Sequence, residues 1–129
     1  MPVREFTILL LDDEPTMIEL LRQTLQIYFS DDKMNLLIAD NGDAALRLIR
    51  ENNPQINIMI TDISHPGITG LDLAKIVRQE FPHIHIIIQT AYGDRDLHKT
   101  FKDFADFVLQ KPYKLPDLFN AIENLLNHF

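Results

Sequence analysis

Five short apolar runs, each followed by a segment of helix length, constrain this chain more than any other feature. The runs are Phe6–Leu11, Met34–Ala39, Ile56–Thr61, Ile84–Gln89 and Asp106–Gln110. TILLL and INIMIT are apolar enough to be buried on both faces, the mark of strands inside a parallel sheet. The segments between the runs repeat at helical spacing instead. Met17, Leu20, Leu21, Thr24, Leu25 and Tyr28 form one stripe, with Pro15 suited to its first turn. Ala44, Ala45, Leu48 and Ile49 form a shorter one that ends before Asn52-Asn53-Pro54. Thr69 and Asp72 resemble a capping box opening a helix over Leu71–Glu80, which Pro82 stops. Leu97, Thr100, Phe101 and Phe104 mark a fourth helix. Leu115, Leu118, Phe119, Ile122, Leu125, Leu126 and Phe129 mark a fifth.

Strands alternating with helices imply right-handed crossovers and a central parallel sheet covered on both faces. The expected class is α/β, a doubly wound five-stranded parallel sheet of the flavodoxin-like (βα)5 kind, strand order 2-1-3-4-5. Residues 1–129 are expected to form a single domain, since no linker, repeat or low-complexity stretch interrupts them. In that order the first and third strands are neighbours. Asp12 and Asp13 close the first and Asp62 closes the third, so three carboxylates meet at the carboxyl edge, where such sheets bind ligands. They would repel one another unless a hard cation neutralised them, and magnesium is the expected ion. Thr90 brings a hydroxyl to the same edge and Lys111 an ammonium. Acids for a metal, with a hydroxyl and a lysine for an anion, describe a phosphoryl-transfer site.

Composition excludes several alternatives. The formal net charge of −7 argues against direct nucleic-acid binding, which needs a basic face. The apolar runs are too short to span a bilayer, the N-terminus lacks a signal-peptide pattern, and there is no cysteine. A cytoplasmic location is expected. Dinucleotide binding would need a glycine-rich turn where this chain has Asp12-Asp13-Glu14-Pro15. A haloacid-dehalogenase-type phosphatase would need Asp-x-Asp there.

LLLDDEP, MITDISHPGITGLDL, IIIQTAYGD and VLQKPY together resemble the response-regulator receiver domain of two-component signalling, in order, in spacing and over essentially the whole chain. The resemblance implies that Asp62 is the phosphoacceptor. A sensor histidine kinase or phosphotransfer protein would charge it, and a downstream protein or a fused effector domain would read it out. It implies Asp12 and Asp13 as the acidic pair, Thr90 as the switch hydroxyl and Lys111 as the phosphate-binding lysine. Mg2+ would be held by Asp12, Asp13, Asp62 and the backbone carbonyl of Ser64. Such a domain catalyses its own phosphorylation and dephosphorylation but turns over no external substrate. The intact site argues against a pseudo-receiver that binds without being phosphorylated. Pro66, Gly70 and Pro112 match the family's loop proline, its glycine and the proline after the lysine, a bond typically cis. Ser64 and Tyr92 match positions bordering the path of the hydrolytic water, which implies slow dephosphorylation.

The chain also departs from that pattern. The segment from Thr90 to Lys111 is about one residue short. Receivers carry a switch aromatic three residues before the lysine, where this chain has Val108, with Phe107 beside it. Either a gap or bulge lets Phe107 serve, the alternative favoured by the missing residue, or there is no aromatic switch. The last helix, with Asn120, Asn124 and Asn127 outward, lacks the charges with which receivers of winged-helix transcription factors dimerise. Of the histidines, His65 sits in the site loop. His83, His85, His98 and His128 read as surface residues, with no acid beside His83 and His85 to complete a metal site.

Overall fold

The computed structural model describes residues 3–52, 56–63, 68–91 and 101–127. Ser64, His65, Pro66, Tyr92, Leu97, His98, Thr100, His128 and Phe129 lie outside them, and with them most of the expected fourth helix. The described elements are β1 (Glu5–Leu11), α1 (Pro15–Tyr28), β2 (Lys33–Ala39), α2 (Gly42–Asn52), β3 (Ile58–Asp62), α3 (Gly70–Glu80), β4 (His85–Thr90), β5 (Phe107–Gln110) and α4 (Leu115–Leu126). The strands form one sheet in the order β2-β1-β3-β4-β5, and every pairing is parallel. Fold class, strand order and all five strands agree with the expectation from sequence, with strand ends shifted by one or two residues.

Burial explains why these segments became strands. β3 is buried at all five positions and β1 at six of seven, because each has a neighbour on both sides and helices on both faces. β2 and β5, at the two edges, are only partly covered. Alternate side chains feed two cores. Leu9, Leu11, Met59, Ile86 and Ile88 pack with α2, α3, Phe101 and Ala105. Phe6, Ile8, Leu10, Ile58, Ile60 and Ile87 pack with α1 and α4. Leu118, Ala121, Ile122, Leu125 and Leu126 are the buried stripe of α4, as its spacing predicts. Each fully buried large side chain contributes roughly 1.5–3 kcal/mol.

The helix ends follow local chemistry. Pro15 and Pro116 sit in the first turns of α1 and α4, where a missing N–H costs little. The Thr69 hydroxyl accepts from Asp72 N at 3.2 Å and caps α3, which begins one residue earlier than expected and ends at Glu80. A tie that the sequence pattern did not reveal runs from Arg4, whose guanidinium pairs with Asp32 at 2.8 Å and Glu123 at 2.7 Å.

The start of α3 is pressed against the end of β3. Gly70 N donates to Ile63 O at 2.8 Å, and a Cβ on Gly70 would stand 2.3 Å from Asp62 O and 2.7 Å from Ile63 Cα. Those neighbours are backbone and cannot move aside without shifting Asp62. Gly70→Ala is therefore expected to cost about 1–3 kcal/mol in chemical denaturation. A variant as stable as the parent would mean that α3 can withdraw from the strand end.

Candidate functional site at the carboxyl edge

β1 and β3 end side by side, and that juxtaposition assembles the acids. Leu11 pairs with Thr61, so the residues that follow, Asp12 and Asp62, leave the sheet together on one face. Asp12 is 1% exposed and Asp62 8%, while Asp13 faces solvent. One carboxylate oxygen from each lies within 4.8 Å of the others. Lys111 enters from the loop after β5, its Nζ 2.7 Å from Asp62 Oδ1 and 3.9 Å from Asp12 Oδ2. Its backbone N donates to Thr90 O at 2.6 Å, which ties the lysine loop to the end of β4. The Lys111–Pro112 bond is cis, as the resemblance implies. These residues line a cleft of about 210 Å3 with Glu14, Ile63, Gln89, Thr90 and Ala91. Asp12, Asp13, Asp62, Thr90 and Lys111 are thus brought together. Ser64 is outside the described residues.

The donor set fits a hard divalent cation. Asp12 Oδ1 accepts from Glu14 N at 2.9 Å, whereas the buried Oδ2 meets no hydrogen-bond donor among the described residues. Three convergent carboxylates with one oxygen left over suit an ion that takes oxygen ligands. The electrostatics of the site are visible at Asp62. Burial pushes its carboxyl up to about 6, Lys111 pulls it back, and the charge on Asp12 raises it again.

A pH dependence follows from that shift. The folded state holds the Asp62 proton more tightly than the unfolded chain, whose carboxyl has its ordinary value of 3.8. The stabilisation is complete below that value and is lost as pH rises through about 6. In metal-free buffer, Asp62→Asn is expected to match the parent near pH 4 and to exceed it by on the order of 2 kcal/mol at pH 8. Urea titrations at the two pH values check it. A constant difference would mean that Asp62 is not desolvated.

Two expectations need correction. β4 and β5 pair without interruption, Ile87 with Phe107, Ile88 with Val108 and Thr90 with Gln110. No bulge shifts the register, so alternation puts Val108 on the face of Thr90 and Phe107 on the opposite face. Val108 packs against the core that holds Phe101 and Ala105. Phe107 packs against the core of α1 and α4. Phe107 is therefore not placed to move with Thr90. The second correction concerns His85, which does have an acid beside it. Its Nδ1 lies 3.6 Å from Asp106 Oδ2, an oxygen that accepts from Arg78 Nη2 at 3.2 Å and Ile86 N at 2.8 Å. The acids at positions 12, 13 and 62 are nevertheless the one group of metal-binding type among the described residues.

Gln89 lines the cleft and Tyr113, two residues after the lysine, contacts it; neither was singled out from sequence. The Tyr113 hydroxyl donates to Gln89 Oε1, and burial pushes the phenol up, assisted by the charges of Asp62 and Asp12. The one available signal was a carboxamide inside an otherwise apolar run, IIIQT.

Fold and site together define a phosphoryl-accepting regulatory domain, and comparison with known proteins agrees. Residues 8–123 match the response regulator receiver domain family, and the chain belongs to it. The chemotaxis protein CheY of Halobacterium salinarum is 30% identical over 122 residues, which cover 92% of this chain and 95% of that protein. The transcriptional regulator NtrC of Proteus hauseri is 30% identical over 79 residues, 60% of this chain but 17% of NtrC, so the chain spans about a sixth of that relative. TrrA of Thermotoga maritima, solved in complex with Mg2+ and BeF, is 31% identical with a TM-score of 0.80, over 93% of this chain and 98% of that one. The chain is a receiver domain of two-component response regulators, with a phosphoacceptor role. Receiver domains bind Mg2+ at their acidic pocket and interact with histidine kinases and effector domains. Among the described residues no helix is long and apolar enough to cross a membrane.

Proposed function

We propose that Asp62 is the phosphoacceptor of a receiver formed by residues 1–129 as one domain, switched by a sensor histidine kinase or phosphotransfer protein. The observation that carries this is the Asp62 carboxylate, held 2.7 Å from Lys111 Nζ and beside the carboxylates of Asp12 and Asp13. An Asp62 oxygen attacks phosphorus. The new O–P bond forms as the P–N bond of a phosphohistidine, or the P–O bond of an acyl phosphate, breaks, and the leaving group takes the electron pair. Lys111 pairs with a phosphoryl oxygen, and the Thr90 hydroxyl donates to another. Asp12, Asp13 and Asp62, together with the backbone carbonyl of Ser64, would hold Mg2+. The bound ion supplies positive charge against the phosphoryl oxygens.

The domain catalyses its own phosphorylation and dephosphorylation and is not an enzyme on an external substrate. Its output goes to a downstream protein or a fused effector domain. The net charge of −7 supports the absence of direct nucleic-acid contact, and the lack of cysteine suits a cytoplasmic setting. Because Val108 is small and branched, with few rotamers to exchange, the signal leaves Thr90 through the segment between β4 and β5 rather than through a moving ring.

Incubation with acetyl phosphate and Mg2+, followed by intact mass, separates this reading from its rivals. One phosphoryl group per chain is expected. Rapid multiple turnover of the donor would indicate a phosphatase, and no gain in mass would indicate a pure interaction module.

A further inference from the structure

Gln89 is fully buried, one residue before the end of β4, and stands in register with Asp62 on β3. Neighbouring strands lie about 4.8 Å apart and residues in register share a face, so the carboxamide is beside the acceptor carboxylate and opposite Thr90. The two ends of the amide differ. Oε1 accepts from the Tyr113 hydroxyl, whereas Nε2 is buried and meets no acceptor among the described residues. Gln89 lines the same cleft as Asp12, Asp62 and Lys111. A buried donor without an acceptor is costly to the fold, and at a ligand site the acceptor can be one that arrives with the ligand. Phosphorylation brings three anionic oxygens to the Asp62 side chain. An amide oriented by a donor at its oxygen end also turns its positive end away from that donor, the orientation that suits the negative charge of Asp12 and Asp62.

We propose that Gln89 Nε2 is a further protein donor to the phosphorylated acceptor, reaching an oxygen of the Asp62 acyl phosphate, and that Tyr113 is the positioning residue that holds the amide in this orientation. Tyr113 follows Lys111 by two residues, so the same loop that delivers the ammonium also orients the amide. The two donors approach the acceptor from β5 and β4. This inference rests on Asp62 being the acceptor.

The test uses the full chain with saturating Mg2+ and beryllofluoride as the phosphoryl mimic. Gln89→Met keeps the length of the side chain and removes the donor. Its dissociation constant for beryllofluoride is expected to rise about tenfold, the scale of one charge-assisted hydrogen bond, while that for Mg2+ stays within about twofold. In the parent, the Gln89 side-chain NH2 resonances are expected to move on addition of beryllofluoride and not with Mg2+ alone. Tyr113→Phe should weaken beryllofluoride binding by about threefold and retain the resonance shift. Unchanged beryllofluoride affinity in Gln89→Met, or NH2 resonances that do not move, would overturn the proposal. So would an equal loss of Mg2+ and beryllofluoride affinity, which would mark a packing defect. A parent chain that binds no beryllofluoride would instead remove the reading of Asp62 itself.

Discussion

Asp13→Asn is expected to raise the Mg2+ dissociation constant at least about tenfold, a loss of roughly 1.4 kcal/mol or more. Asp13 is the exposed member of a group whose carboxylate oxygens lie within 4.8 Å of one another. It can therefore turn toward an ion with little cost in packing. Asp12 and Asp62 are buried, and Lys111 already contacts Asp62 Oδ1 at 2.7 Å. Asp13→Asn takes away one full negative charge and leaves a neutral amide carbonyl in place of a carboxylate oxygen, while that positive charge stays. Mg2+ prefers an octahedral oxygen shell and tolerates the loss of a charged ligand poorly. A magnesium titration followed by calorimetry gives the constant. The same midpoint in both proteins would show that the ion sits elsewhere or that Asp13 does not reach it.

The acid site was legible because it needs only two facts that a linear sequence carries. Asp12 and Asp62 each end a run apolar enough to be a central strand, and the five-fold alternation makes those strands neighbours. Lys111 and Thr90 were legible in the same way, as the ends of the last two strands. The register of β5 was not. The run DFVLQK carries Phe107 and Val108 with similar hydrophobicity, and a missing residue upstream can be absorbed in the strand or before it. Only pairing with β4 decides, and it places Val108 beside Ile88. The partner of Gln89 was hidden for a related reason. Tyr113 is 24 residues away and meets it only because β4 and β5 are adjacent and the loop after β5 turns back over the strand ends. His85 and Asp106 likewise meet across adjacent strand starts, which no local spacing announces.

The division of the sheet into two faces bears on how a signal could leave the site. Asp12, Asp62 and Gln89 stand on the side of α1 and α4, whereas Thr90 and Val108 face the core containing Phe101 and Ala105. Under the proposed roles, a phosphoryl group on Asp62 that recruits the Thr90 hydroxyl would pull across the sheet edge, toward the packing beside Val108 on the far face. A change of this kind biases the packing between two arrangements, and its size is bounded by the binding energy released at the phosphoryl group.

Asp62→Asn tests the central claim most directly, because the amide keeps the shape of the acceptor and cannot form the acyl phosphate. The measurement is intact mass after incubation of parent and variant with acetyl phosphate and Mg2+. The parent is expected to gain one phosphoryl group per chain, and Asp62→Asn to gain none. Equal labelling of the two chains would contradict the assignment of Asp62 as the acceptor.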